Sequence, residues 1–232
     1  MSDAIRVGLV GFGYASKTFH APLIGGTPGM ALKAVASSDA DKVHADWPGV
    51  KVMSAPGDLL DDPDIDLVVI ATPNDTHFPL AKAALEAGKH VVVDKPFTVT
   101  LSQARELESL AKHCGRILSV FHNRRWDSDF LTVSALINEG QLGEVCYFES
   151  HFDRFRPQVR RRWREQAGPG SGIWYDLAPH LLDQVVVLFG LPVSITVDLA
   201  QLRPGAQSTD YFHAVLAYPQ RRVVLHGTLL AA

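Results

Sequence analysis

The pattern of apolar and polar segments predicts the fold of the first half of the chain. Short apolar or β-branched runs alternate with longer segments of helical period, which is typical of parallel strands joined by crossover helices. Several runs are apolar on both faces, as buried parallel strands are. The predicted strands are Ile5–Val10, Leu32–Ala36, Val50–Met53, Asp66–Ala71, His90–Val93 and Ile117–Phe121. We therefore expect an α/β domain over residues 1–121, with a doubly wound parallel sheet of the Rossmann type.

Two helices of this half have clear ends in the sequence. The first follows Thr100, which forms a capping box with Gln103, and it ends at Gly115. Its apolar face comprises Leu101, Ala104, Leu107, Leu110 and Ala111. The second runs from Phe78 to Ala87 and ends at Gly88 before the next strand.

The second half has a different pattern, with an arginine-rich stretch after about residue 122 and then long alternating strands. The predicted strands are Glu144–Phe155, Val193–Gln201, Tyr211–Tyr218 and Arg222–Leu230. The last two read as a hairpin across Pro219 and Gln220. One long helix is expected over Trp174–Phe189. Residues 122–232 therefore predict an α+β domain with a largely antiparallel sheet.

Composition restricts the class of function. The 232 residues are 47% apolar and 20% charged, which indicates a folded globular protein. The net charge of −3 gives no reason for binding nucleic acid or anionic lipid. No apolar run approaches the ~20 residues of a membrane span, and the N-terminus lacks the pattern of a secretory signal. We expect a cytoplasmic protein with a small-molecule partner.

The two cysteines, Cys114 and Cys146, are isolated in the sequence. Neither has a second thiol or a histidine at metal-ligand spacing, so no disulfide and no metal site are expected. We interpret both as reduced thiols in the core.

A glycine-rich turn is the strongest local motif. It spans Gly8 to Ser16, directly after the first strand and before a predicted helix. Gly11 would allow the tight turn, and Gly13 would let the backbone approach a pyrophosphate at the helix N-terminus. Ser16 stands where the dinucleotide motif has a third glycine, and a turn without a ligand is the alternative. Candidate cofactor-binding residues here are Gly11, Phe12, Gly13 and Tyr14.

The end of the second strand bears on the choice between NAD and NADP. An acid usually stands there and binds the ribose 2′-hydroxyl of NAD. This chain has Ser37 and Ser38 instead, with Lys42 nearby, which slightly favours NADP. If the register differs by two residues, Asp39 becomes the ribose ligand, and the serines could also simply cap the next helix.

Two loops follow the fourth and fifth strands at the edge where open α/β sheets bind ligands. The first carries Thr72, Pro73, Asn74 and His77, and the second carries Asp94 and Lys95 before Pro96. Because Pro96 restricts Lys95 to extended geometry and permits a cis bond, the lysine can be held in one direction. We expect both loops to flank the cofactor.

Asp176 and His180 are candidates for proton transfer. At i and i+4 they share one face of a helix, where the carboxylate can orient the imidazole. Pro179 lies between them and is unfavourable inside a helix. The helix could therefore begin near Ala178, with the pair on either side of its start.

The stretch from Phe152 to Arg164 is rich in arginine and aromatic residues. We interpret it as a solvated loop, with a substrate or cofactor wall as the second interpretation and a nucleic-acid patch as the least favoured. Arg125, Trp126 and Trp163 are candidate substrate-pocket residues.

Taken together, these motifs resemble the glucose-fructose oxidoreductase, inositol dehydrogenase and MocA (Gfo/Idh/MocA) family, and within it the YdgJ-type bacterial oxidoreductases. The resemblance runs along the whole chain. It is carried by Gly11-Phe12-Gly13, Thr72-Pro73-Asn74 with His77, Asp94-Lys95-Pro96, Asn123-Arg124-Arg125-Trp126 and the segment from Gly172 to His180.

The resemblance implies an NAD(P)-dependent oxidoreductase acting on a sugar, a polyol or a related hydroxy or oxo compound. Lys95 matches the lysine of the family's E-K-P motif, in which Asp94 replaces the usual glutamate. Asp176 and His180 match the D-x-x-x-H pair. Family members also associate through the outer face of the second sheet, which implies a homodimer or larger oligomer. They are longer, so this chain is expected to be incomplete in its second domain.

The proposed chemistry requires a proton to leave or reach the reacting oxygen while the cofactor carries the hydride. Lys95 and His180 are the candidates, and the sequence leaves open which one transfers the proton. Both would have to converge over one nicotinamide ring. A non-catalytic protein that senses NAD(P) or a sugar, and an inactive truncated fragment, are the alternatives.

Overall fold

The computed structural model describes residues 4–231, which divide after Phe121 into two compact units. The first unit is built on six parallel strands, and all six predicted strands are confirmed with small differences at their ends. They are β1 Ile5–Val10, β2 Met30–Ala36, β3 Lys51–Met53, β4 Leu67–Ile70, β5 His90–Asp94 and β6 Leu118–Phe121. Their order, β3-β2-β1-β4-β5-β6, is that of dinucleotide-binding folds. The C-terminal ends of β1 and β4 meet at the point where the strand order reverses.

Helices connect these strands. They are α1 Ala21–Gly26, which continues a π-helical turn over Ser16–His20, α2 Ala40–Asp46, α3 Pro56–Leu60, α4 Asn74–Glu86 and α5 Leu101–Cys114. The ends predicted for α5 are confirmed: Thr100 accepts a hydrogen bond from the Gln103 backbone, and Gly115 has a left-handed conformation. The reciprocal arm of the capping box does not form, since Gln103 Oε1 is buried without a hydrogen-bond partner.

Two apolar cores hold the first unit together. One contains Val10, Ile70, Val93 and Leu107, packed with Leu85 of α4. The other contains Val7, Leu9 and Val35 with Ile24 of α1. The central strands β1 and β4 are largely buried because both faces of the sheet are covered there, which fixes the loops at its C-terminal edge.

The second unit contains a mixed four-stranded sheet and two helices. The strands are β7 Tyr147–His151, β8 Ser194–Ala200, β9 Tyr211–Ala217 and β10 Arg222–Thr228, in the order β7-β10-β9-β8. β8, β9 and β10 are antiparallel neighbours, as predicted, and β7 pairs in parallel with β10. The predicted strand Glu144–Phe155 is shorter than expected, because beyond His151 only scattered backbone bonds continue toward residues 226–230.

The helix α7, Gly172–Phe189, covers one face of this sheet. Ile173, Leu177, Leu181 and Val185 pack on alternate strand residues, among them Phe212. A second helix, α6, spans Ser128–Asn138 and was not predicted. Its signal is weak because Phe130 is its single fully buried residue and Asp127, at the N-cap position, pairs with Arg124 instead of capping the helix.

The interpretation of both cysteines as core thiols is wrong. Cys146 is exposed immediately before β7, and Cys114 is only half-buried at the end of α5. In the described part of the chain, no helix combines the length and apolar character needed to cross a membrane.

An ion pair within the first unit predicts a loss of stability in acid. The guanidinium and backbone N–H of Arg6 donate to Asp66, at 2.8 to 2.9 Å, and these hydrogen bonds lower the pKa of Asp66 to about 2. A carboxyl whose pKa is lower in the folded state stabilises the fold above its unfolded pKa and loses that effect as pH falls through the folded value.

We therefore expect the Asp66 carboxylate to contribute about 1 kcal/mol above about pH 4, a value reduced for solvent screening because its side chain is 38% exposed. Urea unfolding of Asp66→Asn at neutral pH and at about pH 2 measures this contribution. The difference from wild type should shrink in acid, and Asp64→Asn, at the 81% exposed second partner of Arg6, should have a smaller effect. A difference that stays constant with pH contradicts the assignment.

Candidate functional site

The glycine-rich turn lies between β1 and the π-helical turn. Gly11 has a φ of +88°, and a Cβ there would lie 2.9 Å from the Ala71 carbonyl oxygen, so the position requires glycine. A Cβ at Gly13 would have nothing within 4 Å, so the protein leaves space beside that backbone. Ser16 is fully buried, and its hydroxyl donates to the Gly11 carbonyl at 2.8 Å. In place of a third glycine, this serine closes the turn.

The aromatic residues of the turn have different surroundings. Phe12 is buried in a core of the first unit and also contributes to the lining of the adjacent cleft. Tyr14 is 77% exposed and meets the ring edge of Phe19. The π-helical turn that follows is a feature found frequently at functional sites.

An open cleft of about 220 Å³ adjoins the turn. Its lining includes Gly11, Phe12, Ser37, Ser38, Ser54 and Thr72. Asp39 is not part of the lining. Its carboxylate accepts the Lys42 backbone N–H at 3.0 Å and caps α2, while the Ser37 hydroxyl accepts the Asp39 N–H at 3.2 Å. The structure therefore brings both predicted serines to the cleft and uses the neighbouring acid as a helix cap.

His77 joins the two predicted loops. Its ring is buried, with Nδ1 2.8 Å from the Pro96 carbonyl oxygen and Nε2 3.0 Å from that of Thr72. Each nitrogen faces an acceptor, so the ring links the loop after β4 to the loop after β5. Asn74 is also buried, whereas Pro73 is exposed. The geometry makes His77 a positioning residue for both loops.

Lys95 follows β5 in a constrained segment. The Lys95–Pro96 peptide bond is cis, and the Lys95 backbone N–H donates to the Asp94 carboxylate at 2.7 Å. The other Asp94 oxygen lies 3.7 Å from Nε2 of His20, a buried residue whose ring packs against Phe121. The pKa of Asp94 is lowered: burial would raise it, but His20 and Lys95 outweigh that effect.

Sequence reasoning did not identify His20. It is separated from Asp94 by most of the first unit in sequence, and no spacing indicates the pair. The only available signal was a histidine in the helix that follows the glycine-rich turn. Asp94 therefore has a neighbour at each carboxylate oxygen: His20 lies near Oδ2, and the Lys95 N–H donates to Oδ1.

The helix α7 carries Asp176 and His180 in the second unit. It begins at Gly172 and continues through Pro179, so both residues lie on one helix and the predicted alternative start near Ala178 is wrong. The helix begins early because the Ile173 N–H is held by the Thr209 carbonyl at 2.8 Å. His180 is buried against Phe152, and Asp176 lies 3.7 Å from the Arg164 guanidinium.

The predicted substrate residues are engaged within the second unit. Arg125 forms a two-pronged hydrogen bond to Asp183 of α7, which raises the pKa of its guanidinium. Trp126 is 77% exposed, and Trp163 is stacked by Arg164 at 4.6 Å. These contacts leave Trp126 as the most accessible of the three.

The arginine-rich stretch is held in place by a residue that the sequence did not single out. The side chain of Arg203 is 1% exposed, and its Nε donates to Asp210 at 2.9 Å. It also pairs with Glu165 at 3.1 Å and donates to the carbonyls of Arg156 and Gln158. The loop is therefore anchored to its own unit rather than being simply solvated.

Comparisons with known proteins cover both units. Residues 5–122 match the Gfo/Idh/MocA model described as an oxidoreductase family with an NAD-binding Rossmann fold. Residues 134–231 match the model of the corresponding C-terminal alpha/beta domain.

Individual relatives show similarity along the whole chain. This chain is 80% identical to YdgJ, an uncharacterized oxidoreductase of Escherichia coli K12, over 100% of its own length and 67% of that protein. It is 38% identical to IolW of Bacillus subtilis 168, a scyllo-inositol 2-dehydrogenase (NADP(+)), over 97% of this chain and 63% of that protein. An oxidoreductase structure from Yersinia pestis has a TM-score of 0.94 and 70% identity, over 100% of this chain and 66% of that one. The chain spans about two thirds of the length of these relatives.

Proposed function

Because the chain belongs to the Gfo/Idh/MocA oxidoreductase family, we propose that it catalyses the NADP-dependent oxidation or reduction of a sugar, a polyol or a related hydroxy or oxo compound. The observation that carries this proposal is the open glycine turn at the end of β1, with a serine-lined cleft beside it. The named activity of IolW, which is an NADP(+) enzyme for scyllo-inositol, supports the same cofactor and substrate class.

The residues of the cleft fit a dinucleotide. The space beside Gly13 suits the close approach of a pyrophosphate, and N–H groups at the start of the following helix can donate to it. Gly11 and Thr72 form the wall on the side of β4, and Ser37 and Ser38 form the wall at the end of β2. The bound nicotinamide would supply the hydride chemistry, which no side chain of the protein can supply.

The preference for NADP rests on the position of the acid. In NAD-binding sites a carboxylate at the end of the second strand binds the ribose and repels a 2′-phosphate. Here Asp39 is turned toward the α2 N-terminus, and the hydroxyls of Ser37 and Ser38 line the cleft instead. Because Asp39 does not line the cleft, a 2′-phosphate there would meet the serine hydroxyls first.

We assign proton transfer to Lys95, Asp176 and His180. The Lys95 loop is fixed by Asp94 at one end and by His77 through Pro96 at the other, so its backbone has little freedom. His180 lies buried one helical turn beyond Asp176, at a position where a carboxylate can orient the ring. Lys95 and His180 can each hold or accept a proton at nitrogen and hydrogen-bond the reacting oxygen, and Asp176 is proposed to orient the His180 ring.

The remaining features of the proposal concern substrate and assembly. Arg125, Trp126 and Trp163 are proposed to contact the substrate, with Trp126 the most accessible side chain of the three. We also propose that the protein works in the cytoplasm as a homodimer or larger homo-oligomer, formed through the face of the second sheet that α7 leaves uncovered.

Equilibrium titration tests the cofactor assignment. We expect the purified chain to bind NADPH more tightly than NADH, and Ser37→Asp to weaken NADPH binding by about tenfold or more through like-charge repulsion. Ser37→Ala, which removes the hydroxyl without adding charge, should change NADPH affinity much less. Tighter binding of NADH by the wild type would contradict the preference for NADP.

A panel of sugars, polyols and their oxo forms, followed by nicotinamide absorbance, tests the reaction. Turnover of at least one compound supports the enzyme. Cofactor binding without turnover across the panel would instead indicate a sensing protein or an inactive fragment, and no cofactor binding would overturn the proposal at its first step.

A further inference from the structure

Three potential metal ligands meet on the uncovered face of the second sheet. They are His151 at the end of β7, Asp153 two residues later and His226 of β10, which together we call the histidine–carboxylate cluster. Strand pairing places His151 directly beside His226. The donor atoms of the three residues all lie within 4.8 Å of one another. They lie opposite the apolar face because α7 covers the alternate strand residues, including Leu225.

Two contacts within the cluster have lengths close to those between donor atoms around a bound metal ion. Donor atoms around a tetrahedral zinc ion lie about 3 to 3.5 Å apart, given zinc–ligand distances near 2.1 Å. Nδ1 of His151 is 3.1 Å from Asp153 Oδ2, and Nε2 of His226 is 3.6 Å from Asp153 Oδ1. The Asp153 carboxylate therefore reaches both histidines, one through each oxygen, and one donor atom from each of the three residues lies within 4.8 Å of the others.

Glu149 supplies a contact that metal-bound histidines usually have. Its carboxylate lies 2.7 Å from Nε2 of His151, so a proton on Nε2 leaves Nδ1 available for a metal. Such a carboxylate fixes the tautomer and increases the basicity of the ring. Asp153 is oriented in turn by the Thr228 backbone N–H, which donates to its Oδ1 at 3.2 Å.

Charge around the cluster also favours a cation. Glu149 and Asp153 place two carboxylates beside His151, and the Asp153 carboxylate also faces His226. The groups that face the cluster are Tyr211 and His213 of β9, whose rings pack at 5.1 and 5.7 Å from that of His226.

We propose that His151, Asp153 and His226 form a site for a divalent transition-metal ion such as Zn²⁺, with Glu149 orienting His151 and the fourth position open to water or an anionic ligand. The sequence predicted no metal site, because these ligands come together only through the pairing of β7 with β10. His151 ends β7 and Asp153 lies two residues beyond it, whereas His226 lies about 75 positions later on the neighbouring strand β10. The proposal does not depend on the oxidoreductase function.

Calorimetric titration with ZnCl₂ tests the site on the tag-free full chain in its native assembly. A Cys146→Ser background removes the exposed thiol that precedes β7 and could bind zinc by itself. We expect one ion per chain, binding weakened more than about 100-fold in His226→Gln and about 10- to 100-fold in Glu149→Gln. His213→Gln is the matched control, a histidine on the same face that is not a ligand, and its affinity should remain close to that of the background protein.

A second readout identifies the ligands directly. Co²⁺ in a tetrahedral site gives strong visible absorption, which Asp153→Asn should reduce or shift while leaving the fold intact by circular dichroism. The proposal is overturned by the absence of stoichiometric binding, or by equal affinity in the background and His226→Gln proteins. Loss of binding in His213→Gln as strong as in His226→Gln would overturn the ligand assignment.

Discussion

Lys95→Met is expected to lower the turnover number by about 10² to 10⁴-fold while changing the affinity for NADPH by less than about tenfold. Proton transfer by a positioned side chain typically contributes a factor of that size to the rate. Methionine keeps the length of the side chain but can neither donate nor accept a proton. The backbone contacts that fix the loop, from the Lys95 N–H to Asp94 and from His77 to Pro96, do not involve the substituted group. Stopped-flow turnover and equilibrium NADPH binding measure the two quantities separately.

Two control variants make this result specific. Lys112→Met removes an exposed lysine whose ion pair with Glu108 lies on the surface of α5, and it should leave turnover unchanged. His20→Phe changes the residue behind Asp94 and tests positioning: it should shift the pH dependence of turnover more than its maximum. Turnover by Lys95→Met within a few-fold of wild type would remove Lys95 from the mechanism.

Local patterns predicted the parts of the site that neighbouring residues determine. The tight turn at Gly11 follows from a positive φ and from the approach of the Ala71 carbonyl, both of which glycine permits. The placement of Lys95 after a buried strand follows from the apolar run before it and from Pro96 after it. These features depend on a few consecutive residues, and so they can be seen in the sequence.

The missed features depend on contacts between residues that are far apart in the chain. His20 meets Asp94 only because the fold brings the π-helical turn after β1 to the end of β5, and His226 meets Asp153 only because β10 pairs with β7. Spacing rules apply within one helix or strand and carry no information about such pairs. The arginine-rich loop was interpreted as solvated for the same reason, since its anchor, Arg203, lies about 40 residues later.

Arg203→Met is expected to destabilise the second unit by about 3 to 5 kcal/mol, because breaking a buried ion pair leaves an uncompensated charge. The partner Asp210 is fully buried, and Glu165 is 5% exposed. The variant also removes the donor for the carbonyls of Arg156 and Gln158. Amide hydrogen exchange of β9 and α7 measures the effect where it is expected, since the slowest amides there report the opening free energy of that unit.

Comparison among variants separates the ion pair from simple loss of side-chain volume. Arg161→Met removes an exposed arginine from the same loop and should change stability by less than about 0.5 kcal/mol. Asp210→Asn should destabilise the unit by itself. The double variant with Arg203→Met should cost less than the two single changes added together, because it removes both charges of the pair and leaves neither buried without its partner. Strictly additive effects would mean that Arg203 and Asp210 stabilise the unit independently, and the anchor would then be its backbone contacts alone.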